Sequence, residues 1–417
     1  MRILLLTLLA TGGMLAGQDV CAPSGREGAA LRAWRENSTN ASISERRRLI
    51  DELAASYPAS YQIHAERIGL YRRAFADAWP GLRESYVRLA EKNPGDPLSL
   101  TLAAAALHRS DTPRAIELLT KARTLSPGFP WAALKLAEIY QGGKFMDRDK
   151  ARANLDAYTA SCAEYLTSSA NFIMGKIADD QSRMAVAKRL RARLDADSSS
   201  GPSDYEMLWS LEFRSYPPSE HLALRKQVAK DVERLLALKP DKRYLGTLLA
   251  GVKQSGASKE SIAAFEDRVL KEAPASSTAY TITYERWKKD HKEPEDPKNT
   301  AAWDAWKRDY RVATKQWAAQ FHEVAWLELS HRATQIKDGE LTEQEAIRAL
   351  EESIQKDALR NGPNFRRYAS AADTLLAKRL APAKALEWME TAWSLAEQAD
   401  KARRDDDTLT DARRKEI

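Results

Sequence analysis

Residues 96–130, DPLSLTLAAAALHRSDTPRAIELLTKARTLSPGFP, carry the pattern that most limits what this chain can become. Leu98, Leu102, Ala103 and Ala106 recur at helical spacing and give a first helix one apolar face. Ser110-Asp111-Thr112-Pro113 ends it and opens a second, with Asp111 or Thr112 as the cap and Pro113 in the first turn, where no amide partner is needed. Ala115, Leu118, Leu119 and Ala122 form the inner face of this second helix, and Ser126-Pro127-Gly128 stops it. The punctuation recurs. Helix-ending prolines fall at 58, 94 and 127, spacings of 36 and 33, and again at 240 and 274, a spacing of 34.

This stretch resembles a tetratricopeptide repeat (TPR). That pattern wants Leu then a small residue in the first helix, Ala, a large apolar residue and Ala in the second, and Pro at the end. Leu102, Ala103, Ala115, Leu119, Ala122 and Pro127 match it, while the family's Trp and Tyr positions hold Ser99 and Ala106. In the next unit Leu136-Ala137 and Tyr140 take the Leu-small and Tyr positions, and 148–165 supplies the partner helix with Ala151, Leu155 and Tyr158. The resemblance implies an all-α fold, a TPR-like α-solenoid of antiparallel helix pairs in two or three subarrays.

Along the chain, residues 1–17 read as a secretory signal peptide: Arg2 at the start, an apolar run from Ile3 to Ala10, and Leu15-Ala16-Gly17 as the exit. An N-terminal TPR-like array is expected over 18–195, with 24–40 weakly ordered before a first helix at 44–56. The small polar stretch ADSSSGPSD at 196–204 reads as a linker. Middle helical repeats follow over 205–289, a polar loop (DHKEPEDPKN) over 290–299, and C-terminal helical repeats over 300–404. These last open with one long helix over 300–336, in which Trp303, Trp306, Tyr310, Ala313, Trp317, Phe321 and Val324 follow spacings of three and four. Such a seam is either a buried core stripe or an aromatic ligand platform; regular spacing favours the core. The charged tail, 405–417, keeps helical propensity but has only Leu409 and Ile417 as large apolar residues. It reads as a frayed end or as the opening of a helix completed by a following segment.

The signal peptide places the mature chain outside the cytoplasm, periplasmic or extracellular. No stretch approaches the ~20 apolar residues a membrane span needs. Cys21 follows Gln18-Asp19-Val20, not the Leu and small residues that precede a lipid-anchored cysteine. Cys21 and Cys162 are the two cysteines. In an oxidising compartment they either pair or stand as a buried thiol in a helical segment and an exposed one near the start. The net charge of +6 is spread over 417 residues, with Lys and Arg interleaved among Asp and Glu. That is a solvated surface rather than a nucleic-acid stripe, so no nucleic-acid partner is expected.

Residue sets that would name a reaction are missing. There is no Cys-x-x-Cys. His322-Glu323 begins a zinc-protease helix, but Trp326 stands where the second His belongs. The remaining histidines are scattered, and neither a Gly-rich phosphate loop nor a Gly-x-Ser-x-Gly elbow occurs. The chain is therefore expected to be no enzyme and to need no cofactor or metal.

What remains is surface. In the resembling repeats, partners lie in the concave groove lined by first helices. Carried over, those positions are Leu100, Ala104, Leu107 and His108, then Trp131, Leu134, Glu138 and Gln141. One TPR subclass grips a partner's C-terminal carboxylate with Lys and Asn; here Leu100 and Ala104 take those places, so the groove is more apolar and suits a helix or extended peptide. The same residues could equally serve to pack neighbouring helices. The expectation is an exported scaffold that holds a protein or peptide partner. A rival follows from the layout, which resembles the helical N-terminal region of TPR–thioredoxin fusion proteins: an accessory region of a redox protein whose redox domain is not in this chain.

Overall fold

Caps and prolines divide the chain into α-helices of 10 to 23 residues. The computed structural model describes residues 21, 25–38, 41–165, 167–196, 201–321 and 324–410. The signal-peptide segment 1–17, His322-Glu323, and residues 411–417 of the tail lie outside the described residues.

The first pairs are α1 (Gly25–Ser38) with α2 (Ile43–Ser56), α3 (Tyr61–Ala74) with α4 (Trp79–Lys92), α5 (Pro97–Leu107) with α6 (Thr112–Leu125), and α7 (Pro130–Tyr140) with α8 (Arg148–Cys162). Their starts are written in short polar side chains. The Ser42 hydroxyl accepts the Glu45 amide, Ser60 that of Ile63, Asp111 that of Arg114 and Asp147 that of Lys150. The middle holds α9 (Ser168–Ile177), α10 (Asp180–Ala196), α11 (Pro202–Ser215), α12 (His221–Ala237), α13 (Leu245–Gln254), α14 (Lys259–Glu272) and α15 (Ser277–Asp290). The last part comprises α16 (Thr300–Gln320), α17 (Ala325–Asp338), α18 (Glu343–Asn361), α19 (Phe365–Ala377) and α20 (Pro382–Arg404). Among the described residues there is no strand, and no helix is long and apolar enough to cross a membrane.

Most helices pack on the next, and the first helices of successive pairs also touch: α3 on α5, α5 on α7, α7 on α9. That double adjacency is what stacks helix hairpins into a solenoid. The fold is a TPR-like α-solenoid of antiparallel helix pairs. In the α5–α6 pair Leu102, Ala103, Ala115, Leu119 and Ala122 are all fully buried, which is why small and large residues must alternate there.

Two expectations need correction. Residues 25–38 form a helix rather than a weakly ordered lead, because Leu31 and Trp34 are buried against Ile50, Ala54, Ile63 and Leu70. The helix expected over 300–336 is two helices. It breaks at Phe321, whose backbone leaves the helical region (φ −101°, ψ 56°), so that Phe321 and Val324 drop into the core and α17 folds back on α16. Ala313, Trp317, Phe321 and Val324 of the seam are buried, while Trp303, Trp306 and Tyr310 are half-buried and pack mainly on one another and on Trp287.

The largest apolar cluster runs from Cys21 to Leu327, across both polar stretches 196–204 and 290–299. A separate cluster fills the α17–α20 array, centred on Ile336, Leu350, Leu375 and Trp388. Cys21 and Cys162 are joined in a disulfide that ties the start of the described chain to the end of α8. The C-terminal array comes back to the beginning: α18 packs on α2, and residues 406–408 reach the corner between α5 and α6. There the Asp407 amide donates to the Arg109 carbonyl (2.8 Å), and the Lys144 amide donates to the Thr408 carbonyl (2.8 Å).

Candidate functional site

Stacked first helices turn one face inward. A cleft of about 1160 Å³ opens on that side, bounded by α1, α3, α7 and α10 and by the first turns of α9 and α11. Helix α3 reaches it through Tyr61, Ala65, Glu66, Gly69, Arg72 and Arg73, and α7 through Trp131, Leu134, Lys135 and Glu138. Both sets follow the three-and-four spacing of a single helix face. At its base the rings of Tyr61 and Trp131 stack, centroids 4.8 Å apart and planes 18° apart.

Charge on the walls is unbalanced. Six cationic side chains line the cleft (Arg32, Arg35, Arg72, Arg73, Lys135 and Arg193) against three acidic ones, Glu66, Glu138 and Asp204. The acids are engaged. Arg35 pairs with Glu66 at 2.7 Å, Lys135 pairs with Glu138, and the Asp204 carboxylate accepts the Gly201 amide at 3.1 Å. Arg32, Arg72, Arg73 and Arg193 make no ion pair among the described residues. The Arg193 guanidinium lies over the Tyr165 ring, 4.8 Å from its centroid.

The surroundings feel this excess. Burial, then the guanidinium groups of Arg109 and Arg73, push Arg72 below the usual arginine range. His108, at the end of α5, is lowered to about 3 by burial and by Lys135, Arg72 and Arg109, so it is neutral at physiological pH.

The residues carried over from the TPR pattern separate into two groups. Trp131, Leu134 and Glu138 line the cleft, although Trp131 and Leu134 are each only 3% exposed. Leu100, Ala104 and Leu107 do not line it: they belong to a cluster with Ala115, Leu119, Ala122 and Leu136, packed between helices. The reason is α5 itself, which is buried all round from Ser99 to Leu107 and touched by α3, α4, α6 and α7. His108 and Gln141 are half-buried beside that cluster rather than on the cleft wall, and the Gln141 Oε1 is buried without a hydrogen bond among the described residues. The unpaired arginines were not marked by sequence reasoning. They come from three helices, and only Arg72-Arg73 shows as an adjacent pair along the chain.

No group of three or more His, Cys, Asp and Glu residues that could hold a metal occurs among the described residues. No protein-family model matches the chain, and no curated protein matches it. Among solved structures the chain is similar to the human IFIT1 dimer with PPP-AAAA, at 13% identity over 89% of this chain and 82% of that one, with a TM-score of 0.26. A likeness of that size carries no argument, and the solenoid assignment stands on the helix packing described above.

Proposed function

We propose that this protein is a non-enzymatic binding module, exported from the cytoplasm, that holds a protein or peptide partner in the cleft on its concave side. The observation that carries this reading is the cleft: it is formed by one face each of α3 and α7 and framed by several further helices. A surface built that way positions an extended ligand along many side chains instead of around one reactive group. Export is supported by the signal-like residues 1–17 and by the Cys21–Cys162 bridge, a pairing that persists in oxidising compartments. Both cysteines are buried in that bridge, so a redox role would need a separate redox domain.

The test uses site-specific photo-crosslinking in the native host. A crosslinker at the exposed cleft position Ser169 should capture a discrete partner, and one at the exposed α6 position Lys121 should not. Equal capture at both positions, or none at Ser169, would end the reading. N-terminal sequencing of the same preparation checks export, which requires a start beyond Met1.

A further inference from the structure

Four arginines that make no ion pair among the described residues are costly to keep in one cleft unless something else supplies more negative charge. Arg72 is partly buried and has the guanidinium groups of Arg109 and Arg73 near it, with Glu138 and Asp406 offsetting part of their repulsion. The chain supplies one carboxylate of its own at this edge: Asp406, on the returning C-terminal segment, pairs with Arg109 at 3.7 Å. Carboxylates are thus compatible with this surface. Guanidinium groups are also well suited to gripping them, since the planar fork can meet both oxygens at once.

We infer that the cleft binds an acidic peptide in extended form, whose side-chain carboxylates are held by Arg32, Arg72, Arg73 and Arg193. This rests on the binding-module reading and names the chemistry of its partner. A single-stranded nucleic acid also brings negative charge, but two features disfavour it. Base binding needs open aromatic faces, yet Tyr61 and Trp131 are 7% and 3% exposed and stack on each other, and Tyr165 already carries the Arg193 guanidinium. A phosphate chain also places a charge at every nucleotide, so it meets Glu66, Glu138 and Asp204 as well as the arginines. A peptide can set acidic residues opposite the arginines and neutral or basic ones opposite the acids.

The experiment measures fluorescence anisotropy with the full chain and labelled 12-residue peptides, one Glu-rich, one Ser/Gly-rich and one Lys-rich. All have amidated C-termini, so that only side-chain carboxylates are read. Dodecathymidylate and dodecauridylate are run beside them. The Glu-rich peptide should bind at least tenfold more tightly than the other two peptides and than either oligonucleotide, and weaken several-fold between 50 and 300 mM salt. The double variant R72Q/R73Q should lose at least tenfold in affinity. Because Arg72 is partly buried, R32Q/R73Q, at two exposed positions, serves as a second test and should lose at least fivefold with an unchanged helical signal. K121Q on α6 should stay within twofold. Tighter binding of an oligonucleotide, equal binding of the neutral peptide, or indifference to both double variants would overturn the inference. If a crosslinker at Ser169 still captures a native partner while no acidic peptide binds, the peptide class is wrong and the binding reading stands; if both fail, both fall.

Discussion

Arg191 of α10 and Glu212 of α11 face each other as a two-pronged pair: Nε donates to Oε1 at 2.6 Å and Nη2 to Oε2 at 2.7 Å. The same guanidinium donates from Nη1 and Nη2 to Asp231 of α12 at 3.2 and 3.1 Å, and the Trp209 indole donates to Asp231 at 2.8 Å. Glu212 and Asp231 are 2% and 3% exposed, so one arginine is the shared ion-pair partner of two carboxylates inside the core. Burial pushes the Glu212 carboxyl up even with Arg191 against it. Three helices are thereby registered on one cation, on either side of the polar stretch at 196–204.

Removing that cation leaves two buried carboxylates with no counter-charge, a loss typically of about 3–5 kcal/mol when one partner of a buried pair goes. Arg191→Met should therefore lower stability by that order in urea titration. A triple variant, Arg191→Met with Glu212→Gln and Asp231→Asn, should recover part of it. A single variant that unfolds at the native midpoint would show that the network is idle.

Acid should act through two histidines. His64 is 7% exposed, shares a 2.7 Å hydrogen bond between its Nδ1 and the Tyr86 hydroxyl, and is lowered to about 4 by burial and by Arg67. His108 falls to about 3. Both titrate near 6.5 when unfolded, so below that pH the unfolded chain binds more protons and the fold weakens. Stability should be flat above pH 6.5 and decline towards pH 4, with a contribution on the order of 3 kcal/mol from His64 at the acid end. Denaturant midpoints against pH measure it. In His64→Gln with His108→Gln the decline should shrink; an unchanged slope would assign acid sensitivity elsewhere.

Two helical glycines should respond to alanine with opposite signs. At Gly251 of α13 a Cβ would fall 2.6 Å from Trp209 Cζ3 and 2.7 Å from Val232 Cγ2. Overpacking of about 1–3 kcal/mol then outweighs the roughly 1 kcal/mol of helix propensity gained. Gly81 of α4 has nothing within 4 Å of its Cβ position. Gly251→Ala should lower the melting temperature and Gly81→Ala should leave it equal or raise it.

Much of the fold was legible because local rules and packing agree in the α5–α6 pair, where caps, proline and the Leu-Ala pattern all point to one hairpin. The split at Phe321 was not legible. Residues 317–325 hold neither Gly nor Pro, and the helix ends only because burying Phe321 and Val324 is worth more than another turn. Helix α1 was hidden for a similar reason: Leu31 and Trp34 carry its packing alone within a polar segment. At the site, repeat position pointed to Trp131, Leu134 and Glu138 on α7, which line the cleft, and to Leu100 and Ala104, which lie packed between helices, since a helix buried on every side gives no sign of which face a cleft would use. The arginine excess could not be read along the chain at all, because Arg32 and Arg193 come to line one cleft only after ten helices have folded.

The Cys21–Cys162 bridge closes a long loop, the two cysteines being separated by 141 positions, and a loop of that length restricts the unfolded chain strongly. Cys162→Ala, or reduction with dithiothreitol, should cost about 4–5 kcal/mol in the N-terminal array. The loss should appear as faster proteolysis of α1–α3, since the bridge also fixes the Cys21 carbonyl that accepts from Gln62 at 2.9 Å. Reduction that leaves both stability and cleavage rate unchanged would mean the array holds Cys21 without it.

The last prediction concerns Asp407. Its carboxylate accepts the amide and the hydroxyl hydrogen bonds of Thr112, the first residue of α6, from 295 positions further along the chain. Amides in a first helical turn have no partner within the helix, and a negative group there also meets the positive end of the helix dipole. Asp111 already serves the Arg114 amide, so Asp407 completes a cap that the local sequence leaves half made. Substituting such a cap costs about 1–2 kcal/mol. Here the cost should be local, because what Asp407 holds down is the segment 405–410 and not a core. In Asp407→Ala the Thr112 and Lys144 amides should exchange with deuterium roughly tenfold faster, one factor of ten for each 1.4 kcal/mol lost, while the α17–α20 cluster keeps its protection. Asp405→Ala, at an exposed neighbouring position, should change neither amide. If Thr112 and Lys144 keep their protection in Asp407→Ala, the C-terminal segment does not hold this corner, and the return of α18 onto α2 must be maintained by the α18–α2 packing alone.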